Sequence, residues 1–155
     1  MGNRAVVHVK HAEVWIYTHW GGFNVLSYVA AALKNYLKKM HVNDYNHYRV
    51  CNIKSIDVKN YLDTKKWNRD GAHDLAGYVA AEITKTDEIC ISSTTWYEEQ
   101  YIELDSETRT VKVYVEHPGR EWELCDWIGS FSEYVARFEN NAEWPKLYER
   151  PMEAA

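Results

Sequence analysis

Apolar residues recur along this chain first with the period of strands, then with that of helices, then with that of strands again. Residues 4–10 and 13–20 are short and β-rich, and His11-Ala12 between them predicts an N-terminal hairpin. Alternation on the second of these strands puts Val14, Ile16 and Thr18 on one face and Trp15, Tyr17 and His19 on the other. Gly21-Gly22 ends the strand, and Asn24 stands where a helix N-cap would. From there Val25, Val29, Leu33, Tyr36, Leu37 and Met40 keep helical spacing, and Ala30, Ala31 and Ala32 add helix propensity. A polar loop follows, with 48–53 forming a short strand or an extended crossing. A second helix is predicted over about 57–66, capped by Ser55, with Val58, Tyr61 and Leu62 inward. Leu75, Val79 and Ile83 mark a third over 72–84.

The second half reads as strands over 88–94, 100–104, 109–115 and 121–127. Asp105-Ser106-Glu107-Thr108 forms a polar turn between the middle two, and 117–120 forms another. Val111, Val113 and Val115 alternate with Thr110, Lys112 and Tyr114, the pattern of a half-buried strand. Ser130-Phe131-Ser132-Glu133 has the form of a capping box, opening a short helix with Phe131, Tyr134, Val135 and Phe138 on its apolar side. The tail from about 140, with Pro145 and Pro151, is expected to be irregular. The order β-β-α-α-α-β-β-β-β-α predicts an α+β fold, an antiparallel β-sheet covered by helices, in a single globular domain over 1–155.

Composition changes this picture in one respect. Tyr 12 and Trp 7 outnumber Phe 3. Phe would fill a core at no polar cost, whereas Tyr and Trp carry a hydrogen-bonding handle suited to half-buried surfaces and interfaces. The net charge of −5 argues against a broad electrostatic grip on nucleic acid. Lysines gather at Lys34, Lys38 and Lys39, where a helix C-terminus favours cations, and again at Lys65 and Lys66. Cys51, Cys90 and Cys125 show no CxxC or metal-ligand spacing, and three widely spaced cysteines fit free buried thiols in a reducing cytoplasm. No apolar run is long enough to span a membrane. The N-terminus has no secretory apolar region, and Val6 stands where a myristoylation signal requires Ser or Thr. The expectation is a cytoplasmic protein without a membrane partner.

Candidate chemistry is sparse. His19 sits at a strand end beside Trp20 and the Gly21-Gly22 pair, which permits close approach of a phosphate to the following helix. The pattern is neither GxGxxG nor a P-loop. His8 and His11, three apart on a strand, would point to opposite faces and could not share a metal. His41 and His47 lie in a loop with Asp44, and His73-Asp74 reads as helix N-terminal capping. Ser92, Ser93, Thr94 and Thr95 lack the nucleophile-elbow pattern. Glu98, Glu99, Glu103, Asp105 and Glu107 predict an acidic region fit for protein contact. No catalytic residue, cofactor or metal ligand set is predicted.

Met1-Gly2-Asn3-Arg4-Ala5, the block Ile16-Tyr17-Thr18-His19-Trp20-Gly21-Gly22, the helix after it, and Ser130-Phe131-Ser132-Glu133-Tyr134-Val135 resemble a family of small, mostly uncharacterised proteins of tailed phages and prophages. The resemblance is best over the first forty residues, touches the chain again near its end, and is least over 41–70. It implies a phage-type accessory protein made in the cytoplasm of a bacterial host. Two function classes follow by analogy. One is a protein that binds and blocks a host complex, such as a CRISPR effector or another defence component. The other is a nucleotide sponge or small nucleotide-processing enzyme using His19, Arg4 and Gly21-Gly22. Candidate binding residues are Arg4, Trp15, Tyr17, His19, Trp20, Gly21 and Gly22, with Trp96, Tyr97, Glu98 and Glu99. The aromatics suit a protein interface better than a reaction.

Overall fold

A computed structural model describes residues 4–19, 24–40, 42, 71–96, 98–115 and 125–140. The order is β1 (Ala5–Lys10), β2 (Val14–Thr18), α1 (Val25–Leu37), α2 (Ala72–Thr84), β3 (Cys90–Ser92), β4 (Gln100–Asp105), β5 (Thr110–Val115), β6 (Trp127–Ser130) and α3 (Phe131–Phe138). The predicted strand at 48–53, the helix at 57–66, the 117–120 turn and the tail from 141 lie outside the described residues.

The six strands form one sheet in the order β3-β2-β1-β4-β5-β6. β1 and β2 make the predicted hairpin, with Val7 opposite Ile16 and His8 opposite Trp15. The expectation of an antiparallel sheet fails at its centre: β1 runs parallel to β4, pairing Val7 with Ile102 and His8 with Glu103. The sheet is therefore mixed, two three-stranded antiparallel halves joined along a parallel seam. Such a seam requires a long crossover, and the helical middle of the chain supplies it.

Strand alternation then sorts the side chains. Val7, Val9, Val14, Ile16, Ile102, Leu104, Val111 and Val113 are buried together with the apolar faces of the three described helices. Tyr36 on α1 is central to this layer, its ring edge-on to Tyr78 of α2 at 5.9 Å and Phe131 of α3 at 6.0 Å. Two hydroxyls anchor α3 to α1: Tyr134 donates to the Leu26 carbonyl at 2.8 Å and Ser27 to the Phe138 carbonyl at 3.3 Å. Lys34, predicted as a helix-end cation, pairs with Glu139.

Other local readings differ at their ends. α2 has the predicted bounds, while α1 stops at Leu37, leaving Met40 48% exposed rather than in the core. Lys39, with φ 53, turns the chain away there. Asn24 is the N-cap residue of α1, but its side chain makes no capping bond. The last described strand lies at Trp127–Ser130, where Gly129 and Trp127 pair with Val111 and Val113; of the predicted 121–127 strand, 121–124 lie outside the described residues. Ser130 ends that strand and also caps α3 through the complete capping box with Glu133. Gly129 is required between them: a Cβ there would stand 2.5 Å from the Trp127 ring.

Candidate binding face

The same alternation leaves a second set of side chains on the face opposite the described helices. From β2 outward it carries Trp15 and Tyr17, then Val6, His8 and Lys10, then Tyr101, Glu103 and Asp105, then Thr110, Lys112 and Tyr114. Val6, Trp15 and Tyr101 form a small buried group, with Tyr17, Trp96 and Tyr114 packed on it.

One end of this face is aromatic and partly open. The connection over 93–99 leads from outer strand β3 to β4, and its Trp96 stacks on Tyr17 with centroids 4.3 Å apart and planes 11° apart. The Trp96 indole donates to Glu98 at 2.8 Å. The Tyr17 hydroxyl meets His19 Nδ1 at 2.7 Å. Burial and the Glu98 charge raise the Tyr17 phenol above its ordinary value, opposed by the charge and hydrogen bond of Arg4. Arg4, Tyr17, His19, Trp96 and Glu98 thus come together, as sequence alternation alone could not show.

In the middle, His8 lies flat on Trp15, centroids 4.2 Å apart and planes 1° apart. The Tyr101 hydroxyl contacts His8 Nδ1 at 3.1 Å, and Tyr101 packs on Tyr114 at 5.5 Å. Trp15 was expected as an accessible binding residue but is 7% exposed, and its indole Nε1 has no hydrogen-bond partner among the described residues. It is the floor of the face, because a wide strand residue in the middle of a sheet is covered by its cross-strand neighbours.

The far end is charged. Lys10, Glu103, Asp105, Thr108, Thr110 and Lys112 line a cleft of about 270 Å³. Arg4, Tyr17 and His19 are not among its lining residues. Glu103 faces Lys112 in register but also lies 3.6 Å from His8 Nδ1. The His8 imidazole, more than any other neighbour, holds its carboxyl below the usual glutamate range, against the opposing effect of burial. Asp105 accepts the amides of Glu107 and Thr108 and meets His11 Nε2 at 3.1 Å. Burial opposes these bonds, yet the carboxyl is held low. The predicted acidic region is therefore not a bare patch, since Glu103, Asp105 and Glu107 each meet a histidine.

Two expectations about titratable side chains are overturned. His11 is not on a strand: with φ 74 it sits in the turn after β1, and both His8 and His11 reach carboxylates on β4. Cys90 is disulfide-bonded rather than free, while Cys125 is a free thiol raised chiefly by burial. His8, Tyr101 and Tyr114 were not singled out as binding residues. His8 meets Trp15 through the β1–β2 hairpin, while the alternation that marks Tyr101 and Tyr114 on β4 and β5 had no address until the β1–β4 seam placed them on the same face. Glu99 is exposed at the start of β4, and Trp20, Gly21, Gly22 and Tyr97 lie outside the described residues. No helix among the described residues is long and apolar enough to cross a membrane.

No protein-family model, curated protein or solved structure matches this chain.

Proposed function

We propose that this chain is a phage-type accessory protein that binds a host protein complex, such as a CRISPR effector or another defence component, and blocks it. The reading places its action in the bacterial cytoplasm and its contact at the aromatic end of the open sheet face. One observation carries it: the Tyr17–Trp96 stack stands partly exposed at the rim, with Arg4 against Tyr17 and Glu98 accepting the Trp96 indole. Amphipathic aromatics ringed by charges of both signs are the usual anchors of a protein interface. Immobilised chain incubated with host lysate at mild salt should enrich a protein complex, and a folded Tyr17→Ala/Trp96→Ala variant should lose it. No enriched protein, or equal capture by the variant, would overturn the reading.

A second reading keeps one specific observation in its favour. Arg4 and His19 both approach the Tyr17 hydroxyl, a grouping able to meet a phosphate while Trp96 stacks on a base. Titration with a panel of nucleotides decides it: heat of binding lost in Arg4→Ala supports a nucleotide sponge or enzyme, and no heat with any nucleotide removes it.

A further inference from the structure

His8 and His11 share a geometry that the docking reading does not use. His8 has a carboxylate near each ring nitrogen, with Glu103 Oε2 3.6 Å from Nδ1 and Glu13 Oε1 3.5 Å from Nε2. His11 repeats the arrangement, with Asp105 Oδ1 3.1 Å from Nε2 and Glu107 Oε2 3.4 Å from Nδ1. A neutral imidazole has one N–H and can serve only one of its two carboxylates. An imidazolium has two and can serve both. His8 Nε2 indeed lacks a hydrogen-bond partner among the described residues, with Glu13 just beyond reach.

The surroundings reinforce the asymmetry. The Trp15 ring lies flat beneath His8, and an aromatic face attracts a cation. The Tyr101 hydroxyl at Nδ1 is free to accept or donate and adapts to either state. Around His11 the neighbouring charges are Asp105, Glu107, Lys10, which reaches Asp105 at 3.8 Å, and Glu13, whose carboxylate accepts the His11 amide at 3.4 Å. Lys112 faces Glu103 from β5.

These carboxylates belong to two corners of the fold. Glu13 is in the β1–β2 turn, where His11 and Glu13 both hold left-handed backbone, φ 74 and 52, without being glycine. Asp105 and Glu107 form the β4–β5 turn. Left-handed backbone at a non-glycine residue is strained and persists where side-chain contacts hold it. We propose that His8 and His11 form a proton-operated clasp: when both are charged each holds its two carboxylates and ties the β1–β2 turn to β4 and its turn, and when neutral each keeps only one, which loosens the turn. Histidine is the side chain that makes this change between about pH 5 and 8.

Glu13 and Glu107 are exposed, so they can be neutralised without disturbing the core. Amide exchange at Ala12, Glu13, Glu107 and Thr108, corrected for intrinsic pH dependence, is compared on the full chain at about pH 5.5 and about pH 8, either side of histidine titration. Protection of these amides should rise roughly two- to fivefold at the lower pH, the effect of one or two partly exposed charge pairs. The response should disappear in Glu13→Gln/Glu107→Gln at unchanged melting temperature, and fall in His11→Gln. An equal response in the double variant, or none in the unaltered chain, would refute the clasp. The test holds whether or not the open face docks on a partner.

Discussion

Tyr17 and Trp96 lie face to face, 4.3 Å between ring centroids and 11° between planes, although one is on β2 and the other on the connection between β3 and β4. The stack fastens that connection to the open face and forms a partly exposed aromatic surface there. Trp96→Ala should therefore cost about 1 kcal/mol of folding stability, the worth of one aromatic pair, while weakening partner capture much more. Urea unfolding and lysate capture, run on the same variant, separate the two effects. A variant that unfolds outright would show that the connection is a core element instead.

Removing only the Tyr134 hydroxyl tests the bond that joins α3 to α1. Tyr134→Phe keeps the buried ring but removes a second hydrogen bond to the Leu26 carbonyl, which keeps its own α1 helix bond, and should lose about 1 kcal/mol by denaturant unfolding. An unchanged midpoint would mean that the hydroxyl bond adds nothing to the joining of α3 and α1.

The same tyrosine predicts alkaline behaviour. Burial holds its phenol well above the ordinary tyrosine value, so the folded state favours the neutral form. A group raised in the fold contributes stability that is fully present below its unfolded value, about pH 10, and is lost as pH rises further. Absorbance of tyrosinate should accordingly show Tyr134 ionising only with unfolding, and the Tyr134→Phe chain should lack that component.

Glu103 governs part of the acid limb. His8 keeps its carboxyl below the ordinary range, so its contribution is present above the unfolded glutamate value of about 4.3 and lost as pH falls through the folded value. Glu103→Gln should flatten stability against pH below about 4.5, by no more than about 1 kcal/mol for a partly exposed pair. Melting temperatures across an acid series would show it, and parallel curves would exclude the role.

The β6–α3 corner leaves little room for change. Ser130→Ala removes an N-cap bond and should cost about 1 kcal/mol. Gly129→Ala places a methyl group against the Trp127 ring and should cost about 1–3 kcal/mol. Thermal melts of both variants provide the check, and a stabilised Gly129→Ala would mean that the indole moves freely aside.

The features legible in the sequence are those with local causes. The Leu75-Val79-Ile83 stripe defined α2 to both ends, and Ser130 with Glu133 announced α3, because helical spacing and capping involve neighbours a turn apart. Alternation alone separated Val14 and Ile16 from Trp15 and Tyr17, since successive strand residues face opposite sides. The same alternation says nothing about which strand lies alongside or in which direction. Only the tertiary structure decided that β1 and β4 pair in parallel, bringing His8 to Glu103 and His11 to Asp105. That pairing also placed Trp15 under its neighbours, and the β3–β4 connection left Tyr17 at the rim beneath Trp96. The block around Tyr17 and His19 thus held its residues in the sequence and gained its partners from long-range pairing, where register and direction depend on the whole sheet and not on any one strand.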